Sequence, residues 1–162
     1  MLIIHPQSNQ WKMYRKIRLA ALKEDPQAFG RFFKEEKTYP KEKWLERVNN
    51  DYSLLALENN KPIGIISAYI TEEKNNKVAH VVSVFVLKEA RGRGVGKKLL
   101  NTVLEKIKKD PTIKKVVLSV NKEQIPAVKL YQKFGFEIIG QKPEQLGDGK
   151  KHIEYEMELS LK

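Results

Sequence analysis

Residues 78–108 constrain the fold more than any other stretch. A nearly unbroken apolar run, VAHVVSVFVL, leads into ARGRGVGKK and then LLNTVLEKIK. The run is rich in β-branched residues and apolar at almost every position, which suits a strand buried at the centre of a sheet. Val95, Leu99, Leu100, Val103, Leu104 and Ile107 then recur on one stripe at helical spacing. Between strand and helix, Gly92, Gly94 and Gly96 alternate with Arg91, Arg93, Val95 and Lys97; these are three of the chain's nine glycines. The first amides of a helix lack internal acceptors and sit at the positive end of its dipole. Glycine lets a ligand approach the main chain without a Cβ in the way. The joint is therefore a candidate anion site. The competing reading is a glycine-rich turn whose lysines solvate its outer face.

Spacing excludes two familiar nucleotide motifs. A dinucleotide fingerprint, G-x-G-x-x-G, would need a glycine where Lys97 stands. A P-loop, G-x-x-x-x-G-K-[ST], would begin at Arg91 and end at Lys98, and both positions fail.

The rest of the chain reads as mixed strands and helices. Leu2 to His5 is a short strand, and Ser8 is a candidate N-cap. Trp11, Tyr14, Ile17, Arg18, Ala21 and Leu22 follow at helical spacing up to Asp25, where Pro26 disfavours α geometry. A second helix runs from Pro40 to Val48. Strands are expected at 53–58 and 63–71, parted by Asn59-Asn60-Lys61, and at 116–120. A short helix opens near Pro126, carries Ala127, Leu130, Tyr131 and Phe134, and ends at Gly135. Two strands, 136–140 and 152–161, close the chain around the turn LGDGK. This order predicts an α+β fold on a mixed sheet. With 162 residues and no linker or repeat, residues 1–162 form one domain.

Composition narrows the function classes. The chain has no cysteine, so disulfides, thiolate metal sites and a cysteine nucleophile are excluded, which fits a cytoplasmic protein. No apolar run approaches the roughly 18 residues of a membrane span. The opening MLIIHPQSNQWK is too short in apolar residues for a secretory signal. The net charge of +11 attracts anions. The lysines are spread along the chain without a block or a nucleic-acid motif, so a basic nucleic-acid-binding module ranks low.

The residues 91–96, as Arg91-x-x-Gly94-x-Gly96, resemble the R/Q-x-x-G-x-G/A signature of the GNAT superfamily of N-acetyltransferases. LSVNKEQIPAVKLYQKFGFEIIG resembles the family's second block, with Val120, Ala127, Leu130, Tyr131, Gly135 and Phe136 in register. RKIRLAALKEDPQAFG is similar to the N-terminal helix and turn of one GNAT subgroup. The resemblance implies a GNAT-type mixed, mostly antiparallel sheet of about six to seven strands with a central splay, flanked by about four helices. It implies transfer of an acetyl group from acetyl-CoA to a primary amine, with no metal and no covalent enzyme intermediate. The amine would belong to a small molecule or to a protein or peptide, with a homodimer possible and neither nucleic acid nor membrane as partner. A GNAT-like domain that binds CoA without catalysis is the alternative.

By the same resemblance, Arg91, Gly92, Arg93, Gly94, Val95, Gly96 and Lys97 would wrap the pyrophosphate, mainly through backbone amides. The backbone of Val84, Phe85 and Val86 would hydrogen-bond the pantetheine arm as an added strand does. The block's usual asparagine, three residues before Ala127, is here Gln124, so Asn121, Gln124 or both would contact that arm. Gly64 reads as a packing glycine. Tyr131 is the candidate acid for the departing thiolate, since a phenol stays protonated at neutral pH. Its other reading is a core tyrosine. His80 is a candidate base, and strand alternation places it on the face of Val82, Val84 and Val86. Glu154, Glu156 and Glu158 share one face of the last strand, read as a solvated face or as a cation-attracting wall.

Overall fold

The computed structural model describes residues 1–161. Seven strands form one sheet: β1 (Leu2–Ile4), β2 (Leu54–Glu58), β3 (Lys61–Glu73), β4 (Asn76–Val86), β5 (Ile113–Asn121), β6 (Glu137–Gln145) and β7 (Lys151–Ser160). Their spatial order is β1-β2-β3-β4-β5-β7-β6. Only β4 and β5 pair in parallel, and every other neighbouring pair is antiparallel. β4, the apolar run at 78–87, is the middle strand, as its composition requires. Two-residue turns close the early hairpins. Asn59 and Asn60 (φ 52° and 61°), then Lys74 and Asn75 (φ 49° and 68°), take the left-handed conformation that matches strand twist.

Five helices flank the sheet: α1 (Trp11–Glu24), α2 (Phe33–Glu36), α3 (Lys41–Val48), α4 (Val95–Lys108) and α5 (Ile125–Lys133). The fifth beyond the expected four is α2, a single turn whose FKEE carries no periodic signal. Ser8 is not the N-cap of α1. It lies in a 3-10 turn, Ser8–Gln10, capped by Gln7 in a reciprocal box with Gln10, and Gln10 precedes α1.

Two apolar layers cover the two faces. On one, α4 buries Leu99, Leu100, Val103 and Ile107 against β2, β3, β4 and β5. Each such side chain contributes roughly 1.5–3 kcal/mol. On the other, α1 and α3 bury Tyr14, Ile17, Leu22 and Trp44 against Leu55, Ile65 and Phe85. Gly64 is a packing glycine: a Cβ there would meet Leu99 Cδ1 at 2.9 Å and Val95 Cγ1 at 3.2 Å. Among the described residues, no helix is long and apolar enough to cross a membrane.

Candidate active site

Two breaks in sheet regularity create the site. The first is a bulge in β4. Ile65 pairs with Phe85 and Ser67 with Val82, so two steps on β3 face three on β4. The extra residue is Ser83, at φ 59°. Its consequence corrects the alternation expected from sequence. His80 and Val82 share the α1 face, beside Tyr69 and Ser67, while Val84 and Val86 pack into the α4 layer.

The second break is a splay. β4 pairs with β5 only over Lys77–His80, against Ile113, Lys115, Val116 and Val117. Beyond His80 and Val117 the strands share no ladder, although β4 runs on to Val86 and β5 to Asn121. Their facing backbone edges are thus left available to an extended ligand.

On the α1 face the splay opens into a cleft of about 740 Å³, bordered by His80, Ser83, Ser119, Glu154 and Arg18. His80 Nε2 lies 2.7 Å from Thr71 Oγ1, and its ring stacks on Tyr69 at 4.6 Å with 2° between planes. Burial pushes the imidazole below its ordinary pKa; Glu73 opposes and Lys115 assists. His80 is therefore neutral at neutral pH, the form that accepts a proton.

A buried charge cluster supports the cleft wall. Glu36 accepts from Arg18 Nε and Nη2 at 3.0 and 3.1 Å and from Arg47 Nη1 at 2.7 Å. Arg18 Nη1 also donates to Ser83 Oγ at 3.1 Å, tying the bulge to α1. Burial pushes the Glu36 carboxyl up, but the two guanidiniums outweigh it and hold it at about 2.

Tyr131 lies on the other face. It is 5% exposed in the α4 layer, edge-on to Phe136 at 5.9 Å. Burial pushes its phenol well above the usual value. The structure does not place Tyr131 and His80 in one cleft: His80 borders the cleft on the α1 face, and Tyr131 is buried in the α4 layer.

The glycine segment closes the far end of β4. Gly94 caps α4 in the left-handed region (φ 78°, ψ 14°), and Gly92 shares that φ. The first helical donor is Lys98 N, to Gly94 O at 3.0 Å, so the amides of Val95, Gly96 and Lys97 have no acceptor within the helix. A Cβ at Gly92 or Gly94 would meet nothing within 4 Å, and one at Gly96 would reach Val86 and Leu130 at 3.7 Å. The motif's guanidiniums face protein groups. Arg91 Nη2 donates to Asp25 at 2.7 Å and its Nε to Val86 O at 2.9 Å, while Arg93 forks onto Glu58. The cradle consists of amides, open glycines and Lys97, with Arg91 and Arg93 bracing it.

Asn121 is 1% exposed, and each polar atom of its side chain has a partner. Its Nδ2 donates to Gln27 O at 3.0 Å, and its Oδ1 accepts from Glu123 N at 3.0 Å. Gln124 precedes α5, is half-buried, and has Ala127 one turn further on. Residues 25–31 thus bridge the parted strands: Arg91 past the end of β4 grips Asp25, and Asn121 at the end of β5 holds Gln27. The β6–β7 turn docks on the same segment through Gly147, whose N–H donates to Phe29 O at 2.7 Å. A Cβ on Gly147 would fall 2.6 Å from Arg31 O. Sequence reading missed Asp25, Glu36 and Gly147. The two glycines in LGDGK were the only local hint of the close approach, which Gly147 makes and Gly149 does not, and nothing local pointed to the two carboxylates.

The geometry agrees with the comparisons. Residues 19–136 match the model of the acetyltransferase (GNAT) family. The chain belongs to that family. It is 35% identical over 85 residues to N-alpha-acetyltransferase 50 of Danio rerio, covering 52% of this chain and 51% of that protein. It is 31% identical over 78 residues to a spermine/spermidine N(1)-acetyltransferase of Bacillus subtilis, covering 48% and 51%. The chain spans about half the length of the curated relatives it matches. Its fold matches an acetyltransferase of the GNAT family from Streptococcus pneumoniae with a TM-score of 0.84, at 22% identity over 99% of both chains.

Proposed function

We propose that this chain is an N-acetyltransferase that moves the acetyl group of acetyl-CoA directly to a primary amine. The observation that carries the reading is the splay of β4 from β5, at the end of which stand the free amides of α4. Acetyl-CoA supplies an activated acetyl thioester. The amides of Val95, Gly96 and Lys97 receive its pyrophosphate, with Gly92 and Gly94 keeping the approach open. The edge of Val84, Phe85 and Val86 pairs with the pantetheine arm. Gln124 supplies the polar contact to that arm, because Asn121 is committed to Gln27 and Glu123.

The chemistry divides between the two faces. The amine enters the cleft on the α1 face, where neutral His80 accepts its proton directly or through water. Tyr131 faces the departing sulfur from the α4 side and donates a proton to it. Burial keeps that phenol protonated across the working pH range. Holding both reactants at the opening replaces a bimolecular encounter by an oriented one, and no covalent enzyme intermediate is needed.

The acceptor is a small-molecule amine or the amine of a peptide, a reading supported by likeness to a spermine/spermidine N(1)-acetyltransferase and to an N-alpha-acetyltransferase. A cytoplasmic location and a homodimer belong to the same reading and rest on the family likeness. A thermal-shift titration tests the cosubstrate. Acetyl-CoA is expected to raise Tm in a saturable manner. No shift with acetyl-CoA, together with salt-steep binding of duplex DNA, would favour the nucleic-acid module instead.

A further inference from the structure

The two ring nitrogens of His80 meet different surroundings. Nε2 lies 2.7 Å from Thr71 Oγ1. Nδ1 has no hydrogen-bond or ion-pair partner among the described residues. No buried side-chain nitrogen or oxygen among them lacks a partner. Nδ1 of this half-buried ring is therefore open to solvent, and His80 borders the cleft. The ring is pinned from β3. Register sets Tyr69 opposite His80, and strand alternation turns Thr71 to the same face as Tyr69. Tyr69 covers one face of the ring at 4.6 Å and 2°, while Thr71 holds one edge. His80 is also the last β4 residue paired with β5, which puts it where the splay opens.

A neutral imidazole carries a proton on one nitrogen only, so one nitrogen donates and the other accepts. Two arrangements fit the contact with Thr71. In one, Thr71 donates to Nε2, Nδ1 carries the proton, and the open nitrogen cannot take another. In the other, Nε2–H donates to Thr71 Oγ1, and Nδ1 keeps an open lone pair. Only the second leaves the ring able to act as a base at its open nitrogen. Among the described residues no other side chain bonds the ring. Glu73, two residues past Thr71 on β3, and Lys115 on β5 act on it through space, and Lys115 is itself paired with Glu158 of β7 at 3.2 Å. The choice of tautomer thus falls to one hydroxyl.

We propose that Thr71 is a positioning residue: it accepts the His80 Nε2–H and so leaves Nδ1 as the atom that takes the proton of the amine. The inference rests on the reading of His80 as the base. Heteronuclear NMR of the histidine ring nitrogens, at about pH 8 and so above the ordinary histidine pKa, reads the tautomer. The chain has three histidines, and the spectrum of His80→Gln identifies the signals of His80. His5 supplies a reference, because its Nε2 faces the Asn50 carbonyl at 3.0 Å and can only donate. His80 is expected to show the same pattern, protonated at Nε2. Turnover is read with the fastest amine of a panel of spermidine, amino acids and short peptides. Thr71→Val is expected to move the proton to Nδ1 and to lower kcat by roughly fivefold, the weight of one hydrogen bond, with KM for acetyl-CoA and Tm unchanged. Thr71→Ser should keep both the tautomer and the rate. A wild-type ring protonated at Nδ1, or a Thr71→Val variant that keeps the wild-type tautomer or the wild-type kcat, overturns the proposal. Full turnover by His80→Gln would instead overturn the base reading, and the proposal with it, whatever the tautomer.

Discussion

Asn121, at the end of β5, donates its side-chain amide to the main-chain carbonyl of Gln27 across 3.0 Å. The contact joins the floor of the splay to the segment that bridges it. Asn121→Ala leaves the half-buried Gln27 carbonyl without this donor, at a cost of about 1 kcal/mol. The bridge should then loosen from Asp25 to Arg31. Hydrogen exchange reads this at Gly147, whose amide is bonded to Phe29 O. Its protection is expected to fall by at least tenfold in the variant, and unchanged protection would show that the bridge is held elsewhere.

Gly96 tests the cradle. A Cβ there meets Val86 and Leu130 only at ordinary contact distance, so Gly96→Ala should fold normally. Gly96→Val fills the floor beneath the free amides, and acetyl-CoA affinity should drop at least tenfold by calorimetry. Gly94→Ala places a Cβ on a left-handed cap (φ 78°) and should cost roughly 1 kcal/mol of stability as well. Lys98→Ala, outside the amide cradle, should alter acetyl-CoA affinity less than either.

The two proton-transfer residues separate by pH. His80 has a pKa below that of an ordinary histidine because it is partly buried. Its accepting form predominates above that pKa, so kcat/KM should fall as pH drops below the usual histidine range. His80→Gln should lower the rate and remove that acid limb. Tyr131→Phe should lower kcat by roughly 100-fold, the low end of acid catalysis, with acetyl-CoA affinity unchanged. The buried phenol ionises too high to shape the profile near neutrality, so this variant should keep the acid limb set by His80. Unchanged turnover removes Tyr131 from the mechanism.

Glu36 links the cleft wall to acid stability. Its folded pKa, about 2, lies below the ordinary 4.5. Its stabilisation is therefore complete above about pH 4.5 and is lost as pH falls towards 2, a contribution of roughly 3 kcal/mol by linkage. Glu36→Gln leaves Arg18 and Arg47 without their shared anion. It should destabilise the fold by about 3–5 kcal/mol at neutral pH. Denaturant unfolding at pH 7 and pH 3 should show the gap between the two proteins narrowing at the lower pH.

What the sequence made legible follows from how local each signal is. The central place of β4, the start of α4 and the role of Gly64 are written in apolar period and glycine placement, and the structure agrees. The bulge at Ser83 was not legible. It arises from a mismatch between two strands, and a serine inside VVSVFV does not announce which partner it faces. The burial of Glu154 depends likewise on β5 and β6 standing on either side of it, so EYEMEL alone fits a solvated face as well as a cleft wall. Nor does the sequence show that Gln27, distant along the chain, accepts from the Asn121 amide.

Amine-dependent release of free thiol from acetyl-CoA, followed across a panel that includes amino acids, short peptides and spermidine, tests the central claim most directly. At least one amine should drive CoA release well above the rate with acetyl-CoA and water alone, and Tyr131→Phe should suppress that release. Tight acetyl-CoA binding with no amine raising the rate above that background would contradict the account and leave a domain that holds the cosubstrate without using it.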